Sequence, residues 1–344
     1  MSEGIQETAS SRIEQVEYDN SLLNSTLHFF DYIFLLRPTL FFPVWTVFAA
    51  GFIAAIRFET GQAHGVADAA TYGMFLMAGL GLTLLMGGVF IINQLADEEI
   101  DRSNNKLFLI ANGCVSKSAA RIETGIVSLV GLALAGIVSW RLAVVFVIVF
   151  AVTGALYSLP PFKWKDKALP GLLLNALGAM LVFFAGWLTH LPLGQESLFA
   201  SIPYILSVTA VYLYTTLLDQ EGDQQHQKTT FAVQFGKKNT IRFGAVLLFA
   251  GLILSYLDQD AVIFYPALFA FPLFLVAAFR EEIRDADRAI KYPIFFLALA
   301  VSMIWNWFFV LIIVTYYLSK AYYKYRFGVN YPSFEKDPAI APKK

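Results

Sequence analysis

The stretch Asn93–Asp101 reads N-Q-L-A-D-E-E-I-D and stands at the end of a long apolar run. Asn93, Asp97 and Asp101 are spaced by four, so a helix here presents them on one face, one turn apart. Ionisable groups at membrane depth are costly, and those that persist line a cavity or an ion site. A second acidic pair, Asp219 and Asp223, follows in L-L-D-Q-E-G-D with the same spacing. Two matched pairs, each ending an apolar run, predict two related halves facing one another across a shared site.

The composition places these clusters in a membrane protein. Of 344 residues, 57% are hydrophobic and only 15% charged, where a soluble chain carries roughly 25% charged residues. A net charge of -1 argues against nucleic acid as a partner. A lone cysteine, Cys114, excludes an internal disulfide. Residues 1–28 are polar and of mixed charge, without the pattern of a secretory signal peptide.

Nine apolar segments of near-spanning length follow, at about 38–56, 70–95, 122–139, 142–158, 170–190, 200–218, 241–257, 262–279 and 293–318. The expected fold class is an all-α membrane protein of about nine transmembrane helices, in two pseudo-repeated halves around a central cavity. Fifteen Lys and Arg residues fall in the loops after even-numbered segments, against Arg57 and Arg141 in the others. By the positive-inside rule both acidic clusters face the cytoplasm. The cations from Lys320 onward disagree, because nine crossings put the C-terminal tail on the opposite side.

Carboxylates and an amide oxygen suit Mg²⁺, which takes one or two carboxylates together with phosphate oxygens and water. Facing clusters of this kind hold a diphosphate, and Arg102, Lys106, Lys163, Lys165 and Lys228 stand close enough in sequence to neutralise the rest of its charge. A diphosphate so held is a good leaving group. On an allylic prenyl chain its departure leaves a carbocation that aromatic faces such as Tyr157 stabilise. The plainer alternative is a solvated acidic loop at a helix end, which one cluster alone would favour. The second cluster with the same spacing shifts the balance to a metal site.

These residues resemble the UbiA superfamily of intramembrane prenyltransferases. I-N-Q-L-A-D-E-E-I-D-R-S-N is similar to the family's first motif, and L-L-D-Q-E-G-D followed by T-T-F-A-V-Q-F-G to its second. Y-S-L-P-P-F-K-W-K at 157–165 and Leu36-Arg37-Pro38 carry the likeness further. It implies a UbiA-type domain over about 30–318, with an N-terminal tail over 1–29 and a C-terminal tail over 319–344. It also implies Mg²⁺-dependent transfer of a prenyl group from an isoprenyl diphosphate to an aromatic, tetrapyrrole or lipid acceptor, at a multi-pass site in the bilayer of a bacterial inner membrane. Asn93, Asp97, Asp101, Asp219 and Asp223 match the metal–diphosphate motifs, with the four aspartates as the catalytic set. Lys163 and Lys165 match the basic pair near phosphate, and Arg37 a position facing the acceptor. Three departures stand out: Gln94 replaces an Asp, Thr216 stands where many members carry another acid, and N-K-L-F-L at Asn105–Leu109 lacks the usual arginine. Two alternatives remain open, a terpene cyclase or prenyl-diphosphate hydrolase of the same fold, and a cation-coupled transporter.

Overall fold

The computed structural model describes residues 21–62, 67–103 and 109–332. Those residues form helices joined by short loops, with one isolated bridge between Lys167 and Thr229. The helices are α1 (Ser21–Leu35), α2 (Phe41–Thr60), α3 (Ala69–Ser103), α4 (Lys117–Val138), α5 (Trp140–Val149), α6 (Ala168–Trp187) and α7 (Gln195–Leu218). Two short helices follow, α8 (Gln220–Gln225) and α9 (Phe231–Phe235). The chain ends in α10 (Lys237–Leu257), α11 (Ala261–Arg280), α12 (Ile283–Ile304) and α13 (Asn306–Phe327).

Local chemistry sets several of these boundaries. Ser116 caps α4 by accepting from the Ala119 amide at 3.2 Å, and Ser139 caps α5 by accepting from Leu142 at 3.1 Å. Gly61 closes α2 and Gly328 closes α13, both left-handed at φ 69° and 66°. The end of α5 widens into a π-helical turn over Phe150–Leu156, a distortion common beside functional sites. It delivers Tyr157 and the Y-S-L-P-P loop.

Among the described residues, seven stretches are long and apolar enough to cross a membrane, including α3, α6, α7, α10 and α11. Large apolar side chains on their outer faces are exposed, such as Ile122, Leu129 and Ile137 on α4, as lipid contact requires. Inside, α2 and α6 cross at backbone contact. A Cβ on Gly186 would lie 1.8 Å from the Phe48 carbonyl oxygen, and one on Gly51 would lie 2.0 Å from that of Phe183. Small residues at the crossing are what allow such an approach in lipid.

The ninth expected segment is where the structure differs. Residues 293–318 do not form one crossing: the helix breaks at Trp305 (φ −127°, ψ 96°), and α12 and α13 meet there. Hydropathy could not show this break, because it occurs without Pro or Gly. Packing makes it. The Trp305 indole donates to Tyr72 Oη at 3.0 Å and sits against Phe52 and Phe75. Helix α13 therefore returns toward the end of the molecule that holds the acidic clusters, which removes the conflict posed by the cationic tail. Both expected tail boundaries also fall within helices, since α1 starts at Ser21 and α13 runs to Phe327.

The return is locked by a buried ion pair. Arg326 grips Asp31 of α1 through Nε (3.0 Å) and Nη2 (2.9 Å), and Tyr322 Oη donates to the same carboxylate at 2.6 Å. Phe34 stacks flat on Tyr322 at 3.8 Å between ring centres. Asp31 and Arg326 are 1% and 3% exposed, so removing one partner strands a buried charge.

Arg326→Ala should cost about 3–5 kcal/mol, read as a fall in the unfolding midpoint in detergent, while Asp31→Leu with Arg326→Leu should recover most of that loss. In a Cys114→Ser background, cysteines at Gln225 and Lys324 should label from one side of the membrane and a cysteine at Gly61 from the other. Labelling of Lys324→Cys together with Gly61→Cys would contradict the return of α13.

Candidate functional site

Two short backbone segments bring the expected residues together. The loop after Tyr157 turns through Leu159, whose carbonyl accepts from Phe162 at 3.1 Å and Lys163 at 3.0 Å. Lys163 itself is left-handed at φ 40°, and the following turn presents Lys165 and Asp166. The second segment follows α8, where the Thr229 amide donates to the Asp166 carbonyl at 2.8 Å and Lys167 bridges Thr229. The loops of the two halves are thus paired along their backbones.

That pairing sets the charges. Asp97 of α3 forms an ion pair with Lys165, which is itself largely buried. Lys228 lies 3.4 Å from Asp223 and 3.6 Å from Asp166, and Thr230 Oγ1 donates to Asp223 at 2.9 Å. The two lysines respond differently. Burial pulls the Lys165 ammonium below its ordinary pKa against the pull of Asp97. Burial acts on Lys228 in the same direction, but Asp166, Asp223 and Asp97 outweigh it and hold that ammonium above its ordinary value. The field of Asp97 thus reaches Lys228 of the opposite half, so the clusters share one electrostatic neighbourhood.

The first cluster keeps its expected face, with Asp101 buried and Asn93 donating to Ser158 Oγ at 3.3 Å. The second is not its geometric twin. Asp219 occupies the break between α7 and α8 and is exposed, whereas Asp223 lies on α8 and is buried. Arg102 is placed on Glu98 at 2.7 Å and on the Ala111 carbonyl at 3.3 Å, on the side of α3 that also meets Lys117. Lys106 lies outside the described residues. Gln94, the departure from the first motif, is buried and donates to the Leu35 carbonyl at 2.9 Å. It anchors the end of α1 just before Arg37, which is left-handed at φ 58° and lies in the field of Asp97, Asp101, Tyr323 and Tyr331.

An apolar cavity of about 660 Å³ opens beneath these charges. Arg37, Asn93, Tyr157 and Lys165 line it, and its walls are aliphatic, from Val47, Met86, Leu174, Val182, Val208 and Leu297 among others. The side chains of Tyr157 and Tyr212 interact at the polar end. Sequence reasoning missed Asp166 and Thr230, and reached Tyr212 only as one of several aromatic residues near the clusters. Asp166 had a visible signal, being next to Lys165 in the same motif; Thr230 had none apart from position near the second cluster.

Among the described residues, no three His, Cys, Asp or Glu side chains form a closed cage for a metal ion. The donor set fits Mg²⁺ in another way. It supplies hard oxygens from two sides and leaves positions for phosphate and water, the ordinary Mg²⁺ arrangement. A polar, cation-flanked rim above an apolar chamber accommodates an anionic head joined to a hydrocarbon tail.

Comparison with known proteins agrees with this fold. The chain is 32% identical to homogentisate phytyltransferase of Synechocystis over 52% of its own length and 61% of that protein. It is 30% identical to the bacteriochlorophyll synthase 34 kDa chain of Chloroflexus aurantiacus, over 59% of this chain and 63% of that one. It thus spans less than two thirds of either relative. A solved structure of a UbiA homologue from Archaeoglobus fulgidus bound to DMAPP and Mg²⁺ superposes with a TM-score of 0.64 at 20% identity, covering 83% of this chain and 99% of that one. The model of the UbiA prenyltransferase family matches residues 43–300, and the chain belongs to that family.

Proposed function

We propose that this protein transfers a prenyl group from an isoprenyl diphosphate to an acceptor bound in the apolar cavity, in a Mg²⁺-dependent reaction. The observation that carries this is the joining of Asp97–Lys165 and Asp223–Lys228 at the polar end of that cavity. The relatives named for phytyl transfer and for bacteriochlorophyll synthesis, and the neighbour bound to DMAPP and Mg²⁺, support the same chemistry.

Asn93, Asp97, Asp101, Asp219 and Asp223 would hold Mg²⁺ together with the diphosphate. Bound there, the ion supplies positive charge that makes the diphosphate a better leaving group. Lys165 and Lys228 add preorganised charge where negative charge grows as the C1–O bond breaks. In the resting protein Lys165 is paired with Asp97, so diphosphate binding would draw the ammonium to phosphate and free the carboxylate, which would then be available to hold the ion. Phe90 and Tyr157 line the cavity and offer π-faces to the allylic cation. The aliphatic walls take the prenyl tail and exclude water that would quench the cation. A volume of about 660 Å³ lies within the roughly 300–1,000 Å³ of small-molecule sites. The acidic end faces the cytoplasm of the inner membrane, an orientation that the excess of Lys and Arg in the loops on that side supports.

Excess chelator should abolish product formation and Mg²⁺ should restore it. Asp97→Ala and Asp223→Ala should each lower kcat at least ~10²-fold. Lys165→Met should raise the KM for the prenyl diphosphate about 10-fold, the effect of one lost charge-assisted hydrogen bond. Losses below threefold in both aspartate variants would return the clusters to solvated helix ends. Rapid diphosphate release without any acceptor, leaving a cyclic hydrocarbon or alcohol, would identify a cyclase instead.

A further inference from the structure

The turn that joins α11 to α12 carries charges that the prenyl-transfer site does not use. It stands at the same end of the molecule as the acidic clusters. Asp285, in the first turn of α12, is buried at 3% exposure. Its Oδ1 accepts from Arg288 Nη1 at 3.3 Å, and Arg280, the last residue of α11, stands 4.0 Å from its Oδ2. The second distance is too long for a hydrogen bond, and Oδ2 has no hydrogen-bond partner. One carboxylate thus holds two guanidiniums beside each other and leaves most of their N–H donors unused. Both arginine side chains are more than half exposed. Nearby, Glu281 lies 3.9 Å from Lys238 and Asp287 3.0 Å from Lys291. Against the remaining Asp285 and Glu282, Arg280, Arg284 and Arg288 leave a positive surplus.

The surface below these charges changes character in a regular way. Arg284, Arg288, Tyr292 and Phe295 follow one another at helical spacing on α12, so they share one face, and all four are exposed. Phe296 meets Tyr292 at 5.9 Å between ring centres and, across the groove, meets Phe269 of α11 edge-on at 6.1 Å. From Arg284 to Phe296 the helix rises about 18 Å, at 1.5 Å per residue. That is slightly more than half of the roughly 30 Å hydrocarbon core of a bilayer. Guanidinium gives way to phenol and then to hydrocarbon over the depth of one leaflet. A phospholipid has the same profile, from phosphate through its ester region to acyl chain. A soluble anion would need only the charged end.

We propose that the outer groove between α11 and α12 binds one anionic phospholipid of the adjacent leaflet. Arg280, Arg284 and Arg288 receive its phosphate, and an acyl chain lies along Tyr292, Phe295 and Phe269. Arginine suits the phosphate because its planar fork bonds two oxygens at once. Asp285 holds two of the three guanidiniums in place beforehand, which lowers the ordering cost of binding. The opposite face of α12 supplies Ile290, Ile294 and Leu297 to the central cavity, so a lipid seated outside braces a wall of that cavity.

The test uses full-length protein in dodecyl maltoside, with palmitoyl-oleoyl phosphatidylglycerol and phosphatidylcholine of the same chains as probes. Native mass spectrometry reads bound lipid, and the melting midpoint reads stabilisation. The natural protein should hold one phosphatidylglycerol at least ~20-fold more tightly than phosphatidylcholine, about fivefold for each surface arginine engaged. Arg280→Gln with Arg284→Gln, which leaves Arg288 on Asp285, should lose at least ~10-fold of that preference and of the melting shift. Arg284→Gln alone, outside the Asp285 pairing, should lose about fivefold and so reads the site even where the double variant folds poorly. Lys324→Gln, an exposed cation at the same end on α13, should keep the preference. No preference in the natural protein, its retention in Arg284→Gln, or an equal loss in Lys324→Gln would replace the site with diffuse surface charge. Equal stabilisation by millimolar glycerol 3-phosphate would overturn the lipid as occupant.

Discussion

The pairing of two loops, Asp166 with Thr229 along the backbone and Lys167 bridging it, is the constraint on which the site depends. The acidic clusters lie more than a hundred residues apart, on helices whose own packing is dictated by apolar faces. Nothing in that packing obliges two carboxylate groups to approach, and their mutual repulsion opposes it. The backbone bond between the loops fixes the approach, while Lys165 and Lys228 screen it. Each lysine takes a carboxylate partner and also lies in the other's field. The result is a charged rim, where Lys165 and Lys228 offset part of the carboxylate charge, beside a chamber that is almost wholly apolar. That contrast is the physical basis of a site that receives a polyanion at one end and hydrocarbon at the other.

Much of the fold was legible because lipid simplifies the code. Apolar runs of spanning length marked most helices, and the four-residue spacing of Asn93, Asp97 and Asp101 survived unchanged as one helical face. Two features were hidden. The reversal at Trp305 carries no Pro or Gly, so continuous hydropathy concealed two helices within one expected segment; only aromatic packing on Tyr72, Phe52 and Phe75 forces the break. The unequal geometry of the clusters was hidden too, because identical spacing does not reveal that α7 stops at Leu218 and leaves Asp219 in a turn.

Within the site, the departures from the family pattern became intelligible as structure. Gln94 gives up a charge and instead holds the Leu35 carbonyl, which anchors α1 and the left-handed turn at Arg37. Arg102, expected at phosphate, pairs with Glu98, one turn away on α3. Adjacency in sequence gave the right neighbourhood but not the facing direction, which the helix settles residue by residue. Helices α1 and α13, which lie outside the matched family span, are tied to each other through Asp31 and Arg326 and carry Tyr323 toward Arg37. The periphery of the chain thus reaches the rim of its central cavity.

The most direct test of a shared two-cluster site is a structure with geranyl thiodiphosphate and Mn²⁺, located by its anomalous scattering. Anomalous density should appear at the polar end of the cavity, contacting Asp97 or Asp101 from one half and Asp219 or Asp223 from the other, with the thiodiphosphate between and Lys165 released from Asp97. Manganese confined to one cluster, or a diphosphate bound away from the rim with the Asp97–Lys165 pair intact, would contradict it.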